Sequence, residues 1–427
     1  MVFENFASAQ SFFLWSTFVI ALIMGAVVNK TGFCTMGAVS DWVNIGDTGR
    51  MRAWVFAIAI GILGVMALEA AGFINLSVNP PSQTTFPPYR QNQLVWVENL
   101  LGGLLFGVGM TLASGCGNKT LIRIGGGNIK SIMVLLIIAA IAYFMINPFP
   151  GSDKTLFSLF FYDWIRPLST SLTTNQDLGA MLFGADKAAT GRAVMGGIIG
   201  ALLLVYVFKS NDFRGSFDNI LGGLIVGLAI LGAWYVTSNI QVQAETETVK
   251  IQKFVEDWDL LAQPTDVKPA QAGPLAPQSF TFINPMGQTL GYVAKGFDKS
   301  LLTFGVMALA GVIFGSFLWS LITRSFKIEW FASFKDFVSH FIGAILMGFG
   351  GVLSMGCTIG QAVTGVSTLA VGSIVTFVAI VLGSAITMKI QYYKMVYESD
   401  ASFLKALITA LVDLKLLPAG LRQLEAV

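Results

Sequence analysis

Residues 99–116 read NLLGGLLFGVGMTLASGC, and residues 340–357 read HFIGAILMGFGGVLSMGC. Laid on one another at an offset of 241 they match without a gap: Gly102, Gly107, Gly109, Leu112, Gly115 and Cys116 meet Gly343, Gly348, Gly350, Leu353, Gly356 and Cys357. Each stretch is apolar over a length suited to a helix through the hydrocarbon layer, which takes roughly 17 to 25 residues. Each carries small residues on helical spacing, which lets helices approach closely. Each closes on Gly-Cys, which packing alone does not require. A fainter third copy begins at Asn219, where Asn219, Leu221, Gly222, Gly223, Leu224 and Gly227 echo Asn99, Leu101, Gly102, Gly103, Leu104 and Gly107; it ends in Trp234 and Tyr235 and has no cysteine.

The same kind of run recurs along the chain, at 12–28, 53–73, 94–113, 131–147, 192–208, 217–236, 301–322, 337–353 and 368–388. Of the 427 residues 54% are apolar and only 12% charged, about half the ~25% charged content of soluble proteins. The chain therefore reads as an all-α integral membrane protein with about nine transmembrane helices. A barrel would show short alternating segments instead. A formal net charge of +2 gives no basic field for nucleic acid. No basic region precedes the first run and no small-residue cleavage site follows it, so it reads as a retained anchor. An odd number of spans puts the termini on opposite sides. Sixteen of the 26 Lys and Arg, among them Lys30, Arg50, Arg52, Lys130, Lys209 and Arg214, fall on one side, mostly on short loops. By the positive-inside rule that side is cytoplasmic, with the N-terminus outside.

The third and eighth runs are five spans apart, so they cross in opposite directions and form an inverted internal repeat. That arrangement is how many transporters build a site near the midplane from interrupted helices. The expected organisation is an N-terminal transmembrane repeat at 1–147 and a central segment at 148–236 with an external loop and two spans. An external loop or cap follows at 237–299, marked by Pro264, Pro269, Pro274, Pro277 and Pro285, then a C-terminal repeat at 300–390 and an amphipathic cytoplasmic tail at 391–427. The apolar stretch 155–168 is too short to span and suits an interfacial or re-entrant piece.

Three cysteines occur, at 34, 116 and 357, each just past a span and each flanked by glycine: Gly32 and Gly37, Gly115 and Gly117, Gly356 and Gly360. Glycine at that density breaks a helix and lets backbone approach whatever passes. Cys34, Cys116 and Cys357 are thus the candidate lining of a substrate pathway. Gly32, Gly115, Gly117, Asn118, Lys119, Arg123, Gly356, Thr358 and Gln361 are supporting contacts. One histidine and no close cysteine pair leave no compact metal or iron–sulfur ligand set. A thiol–disulfide relay would want a C-x-x-C pair. The segment from Gly115 to Thr120 imitates a phosphate loop but lacks its spacing. His340 and Glu69 are the ionisable residues that remain near or within spans, each with a structural or a proton-handling reading.

Gly32-Phe33-Cys34-Thr35-Met36-Gly37-Ala38, Ser114-Gly115-Cys116-Gly117 and Ser354-Met355-Gly356-Cys357-Thr358-Ile359-Gly360 resemble the YeeE/YedE family. The resemblance covers 12–135 and 300–390, and it implies an inner-membrane fold of spanning helices plus short re-entrant helices. It also implies import of thiosulfate, or a related sulfur or selenium anion, past the three cysteines and delivery to cytosolic sulfur-carrier or cysteine-synthesis enzymes; no cofactor and no catalytic residue are expected. Physically, a soft dianion needs contacts strong enough to admit it and weak enough to release it. A neutral S–H is such a weak donor, whereas a thiolate would repel the ion, so the relay requires protonated thiols. A membrane thiol redox enzyme and a membrane subunit of a sulfur or selenium transport complex are the alternatives.

Overall fold

The computed structural model describes residues 1–77, 87–244, 247–262, 266, 268–270, 275–398 and 401–425. Among them, nine helical stretches are long and apolar enough to cross a membrane, and the chain is a multi-pass membrane protein. The spanning helices are α1 (Phe6–Thr31), α3 (Gly49–Ala70), α4 (Trp96–Leu112), α6 (Ile129–Ile146), α7 (Ala188–Phe208), α8 (Phe217–Ser238), α10 (Phe304–Ile322), α11 (Phe334–Leu353) and α12 (Val371–Val396). The shorter helices between them include α2 (Thr35–Ser40), α5 (Gly117–Gly125) and α9 (Ile283–Ala294), and α13 (Phe403–Asp413) follows α12. Polar caps start many of them, satisfying amides that lipid cannot. Asn5 Oδ1 accepts from Ser8 N at 2.8 Å, Asn128 Oδ1 from Ser131 N at 3.0 Å and Ser333 Oγ from Asp336 N at 3.1 Å.

Glycine sets how closely these helices pack. A Cβ on Gly102 of α4 would lie 2.6 Å from Ser354 N and 2.7 Å from Gly350 O; one on Gly109 would lie 2.6 Å from Gly343 O and 2.8 Å from Met347 N. Residue numbers rise along α4 as they fall along α11, so the two helices are antiparallel. At the 241-residue offset, the pair Gly102–Gly350 maps onto Gly343–Gly109, which is the other contact. On its other side α4 runs parallel to α12. A Cβ on Gly103 would lie 2.7 Å from Thr376 O, Asn99 Nδ2 donates to Thr376 Oγ1 at 3.0 Å, and the Thr111 and Ser384 hydroxyls pair at 2.8 Å. The same close approach joins α1 to α10, where a Cβ on Gly311 would lie 2.6 Å from Phe18 O, and α8 to α3, where one on Gly223 would lie 2.7 Å from Ala53 O. Because backbone atoms cannot swing aside as side chains do, Gly109→Ala should destabilise the protein by about 1–3 kcal/mol. Thermal unfolding in detergent checks this; an unchanged midpoint would mean the α4–α11 distance is not fixed by glycine.

Residues 275–294, inside the stretch expected to form an external cap, pack among the helices. Phe280, Phe282 and Ile283 are fully buried. Thr364 Oγ1 donates to Phe280 O at 2.7 Å, Ser279 Oγ to Ile230 O at 3.0 Å and Thr237 Oγ1 to Gln278 O at 2.9 Å. Helix α9 then wedges between α6 and α11: a Cβ on Gly287 would lie 2.9 Å from Tyr143 N, and one on Gly351 2.6 Å from Ile283 Cγ1. Earlier in the stretch, Gln241–Gln243 pairs with Val2–Phe3 in parallel and with Thr248–Lys250 antiparallel, Val242 facing Val249. Pro264 and Pro274 lie outside the described residues.

The apolar piece at 155–168 folds as two short helices, Leu156–Phe160 and Tyr162–Ile165, with Phe160 and Phe161 against Phe349 and with Tyr162 and Trp164 exposed. Helix α13 folds back on α12, where Tyr393 Oη donates to Asp413 Oδ2 at 2.6 Å, and it leaves Phe403 and Leu404 exposed. Glu69, at the end of α3, is bound to the buried Arg90 by bonds of 2.5 and 3.0 Å, with Arg192 at 3.8 Å. His340 is buried and bonded through Nδ1 to Asp336, one turn earlier.

Candidate substrate pathway

The three cysteines share one local backbone design. Two residues before each, the chain enters the left-handed region: Gly32 at φ 62°, Ser114 at φ 57° and Met355 at φ 58°. For glycine this costs little, but for Ser114 and Met355 it stores roughly 1–2 kcal/mol each. The turns after α4 and α11 are closed by the same pair of bonds. Gly115 N donates to Met110 O and Gly356 N to Gly351 O, both at 2.8 Å, while Ser114 N reaches Thr111 O and Met355 N reaches Val352 O. Each cysteine then begins a new helical segment, its carbonyl accepting from the residue four ahead: Ala38 at 3.0 Å, Thr120 at 2.9 Å and Gln361 at 2.8 Å. The thiols lie against the backbone N–H groups of Gly37, Lys119 and Gly360. The segments that follow are α2, α5 and the wide-turned Ile359–Gly365.

These breaks converge. The thiols of Cys34 and Cys116 are in hydrogen-bonding contact, and Cys116 also meets the Thr358 hydroxyl. A Cβ on Gly117 would lie 3.8 Å from the Cβ of Cys357 and 3.0 Å from Ile283 Cδ1, so the segments that carry the second and third cysteines lie side by side. Cys357 in turn meets the Thr281 hydroxyl and the Phe282 backbone. The order is Cys34, Cys116, Thr358 beside Gly117, Cys357, Thr281. All three cysteines are buried inside the helix bundle, none on its outer surface.

The supporting residues fall around this line. Gly32, Gly115 and Gly356 form the bends. Gln361 Nε2 donates to Ser354 O and braces the bend before Cys357, and Ser354 Oγ adds bonds of 2.7 Å to Gly350 O and 3.2 Å to Gly356 O. Lys119 and Arg123 fold back over Gly115, where a Cβ would lie 3.1 Å from Lys119 Cγ and 3.8 Å from Arg123 Nη1. Both are within electrostatic reach of Cys34. The oxygens Thr35 Oγ1, Asn118 Oδ1, Thr281 Oγ1, Thr358 Oγ1 and Gln361 Oε1 are buried without an oxygen or nitrogen partner. Orphaned polar atoms are uncommon in folded proteins and call for an explanation. Here the three hydroxyls are donors available to a passing anion.

Sequence reasoning passed over Thr35, Arg50 and Thr281. The Arg50 guanidinium covers Gly37 and pairs with Asp41 at 2.7 Å, adding a cation at the Cys34 end. A signal for Thr281 existed: Thr281, Met286 and Gly287 repeat Thr31, Met36 and Gly37 at an offset of 250, with the apolar Ile283 at the place of Phe33. Among the described residues no group of three or more His, Cys, Asp or Glu could hold a metal ion.

The family described as Sulphur transport matches residues 30–386. Two relatives are each named Thiosulfate transporter TsuA. The protein from Spirochaeta thermophila is 21% identical over 387 residues, covering 87% of this chain and 97% of the relative. The protein from Escherichia coli K12 is 21% identical over 366 residues, covering 81% and 85%.

Proposed function

Because the chain belongs to the Sulphur transport family, we propose that it takes up thiosulfate, or a closely related small sulfur anion, across the bacterial inner membrane, as a transporter and not as an enzyme. The observation that carries this reading is the buried line of thiols running from Cys34 through Cys116 to Cys357, each set at a helix break. Helices α4 and α11, with α5 and the Ile359–Gly365 segment, are the two arms of an inverted repeat. The reciprocal contact of Gly102 with Gly350 and of Gly109 with Gly343 supports that relation. The N-terminus faces the periplasm and the C-terminus the cytoplasm, so the anion meets Cys357 first and Cys34 last.

The chemistry follows from the donors present. Three S–H groups and the hydroxyls of Thr35, Thr281 and Thr358 touch the ion weakly, so no single position holds it. The nine-residue α5 turns its free amides, at Gly117 and Asn118, toward the same space and adds a positive dipole end. Lys119, Arg123 and Arg50 draw the dianion toward the cytoplasmic end, where a sulfur-carrier protein receives it. The thiols act in their protonated form and make no covalent bond to the cargo.

Growth on thiosulfate as sole sulfur source tests the reading, combined with quantitative thiol titration of the purified protein before and during turnover. Restored growth of an uptake-deficient host with three free thiols throughout is the expected result. Loss of thiols during turnover would transfer the assignment to a redox enzyme. A unit charge about 4 Å from an ion in a watery path contributes about 1 kcal/mol, so Lys119→Gln should slow uptake roughly fivefold and flatten its dependence on ionic strength. An unchanged salt dependence would mean that Lys119 serves topology alone.

A further inference from the structure

Beyond the thiol line, toward the end of the bundle where α1 and α10 begin and α6 ends, lies a cavity of about 350 Å³ whose lining includes Gln10, Tyr143, Asn284, Gln288 and Thr303. Lys295, exposed, is its one cation among the described lining residues. Asn284 stands on α9 where the offset of 250 sets it against Cys34: Thr281-x-Ile283-Asn284-x-Met286-Gly287 overlies Thr31-x-Phe33-Cys34-x-Met36-Gly37. The packing repeats too. Helix α2 follows α1 and leads into α3, as α9 follows α8 and leads into α10, and α1 lies on α10 as α8 lies on α3. Asn284 therefore occupies the place of a fourth cysteine, facing the cavity.

The Asn284 side chain is poised for a ligand. Its Oδ1 is buried and lacks a hydrogen-bond partner, so no protein group holds that end of the amide, while the residue itself lines the cavity, which leaves the amide N–H free to turn toward an anion there. Beside it, Thr303 Oγ1 donates to Gln288 Oε1 at 2.7 Å, which turns the donor end of Gln288 away from Thr303. One face of the same helix packs on the Cys357 side: the space above Gly117 is bounded by Ile283, Met286 and Cys357. The cavity and the thiol line are thus two sides of α9.

We propose that Asn284 is the outer docking point for the oxyanion end of the cargo, a substrate-binding residue that precedes Cys357. This deepens the transport reading given above and rests on it. An amide N–H is a hard donor suited to sulfonate-type oxygens, whereas the thiols beyond it suit a soft sulfur atom. A neutral amide also binds a dianion without the deep well that an arginine would create.

The test is the concentration dependence of labelled thiosulfate uptake by the full-length protein in vesicles, for wild type, Asn284→Asp, Asn284→Ala and Asn284→Gln. A carboxylate at the docking point repels the dianion, so N284D should raise KM about tenfold or more while kcat changes less than about twofold. N284Q, which keeps a donor, should recover most of the loss seen in N284A. A KM for N284D within twofold of wild type, or a loss confined to kcat, overturns the proposal, as does failure of all three variants to fold, which would make Asn284 a packing residue. Should wild type itself not move thiosulfate, the transport reading falls and this proposal with it. Should wild type and the cysteine variants behave as expected while the Asn284 series stays flat, only this proposal falls.

Discussion

Cys116→Ala is expected to lower the initial rate of thiosulfate uptake by roughly 10- to 100-fold, because a hydrogen bond to a charged group is worth about 1.5–3 kcal/mol and here has no substitute. Cys116 is the middle of the line, touching Cys34 on one side and the Thr358 hydroxyl on the other. Removing its sulfur leaves the ion a gap between neighbours with water excluded. Cys116→Ser keeps a donor, but a smaller and harder one that holds an oxyanion more firmly, so an intermediate rate is expected. Initial rates normalised to the amount of folded protein in the membrane measure both. An alanine variant as fast as wild type would remove Cys116 from the pathway.

The second large effect is expected at Arg90. It is fully buried, binds Glu69 through both guanidinium ends, and donates through Nε to Thr368 O at 3.1 Å. Arg192 completes the cluster, 3.3 Å from the buried Asp177, and the backbone at Asp177 bridges to Ala370. The cluster thereby anchors the far end of the segment that starts at Cys357. Removing one member of a buried pair strands the other, at a cost of about 3–5 kcal/mol. Arg90→Met should therefore lower thermal stability in detergent by that amount and speed amide exchange across 359–370. The double replacement Arg90→Met with Glu69→Leu should recover much of the loss, since no lone charge remains. A double variant no better than the single would place the effect in the Thr368 contact alone.

The spanning helices were legible because lipid imposes length and apolarity on each one separately: all nine runs read from the sequence coincide with helices. The three breaks were legible for a related reason. Glycine beside cysteine at 32–37, 115–117 and 356–360 marks backbone that a helix would not choose. The positive φ angles at Ser114 and Met355 were not, since neither residue type signals the left-handed region and only the surrounding turn enforces it. Thr281 and Asn284 were hidden for a different cause. They follow a polar, proline-containing stretch that reads as exterior, and the re-entry of the chain among the helices shows in the burial of Phe280 and Phe282 and in bonds such as that from Thr364 to Phe280 O. The reach of Lys119 and Arg123 toward Cys34 is likewise tertiary, because more than eighty residues separate them in sequence.

The most direct measurement is the flux of sulfur-labelled thiosulfate and of sulfate into vesicles containing only this protein, beside vesicles in which Cys34, Cys116 and Cys357 are all replaced by alanine. Thiosulfate entering the first set at least about ten times faster than sulfate, and scarcely entering the second, is the predicted outcome. Equal thiosulfate flux through both sets would contradict a route that runs past the three thiols.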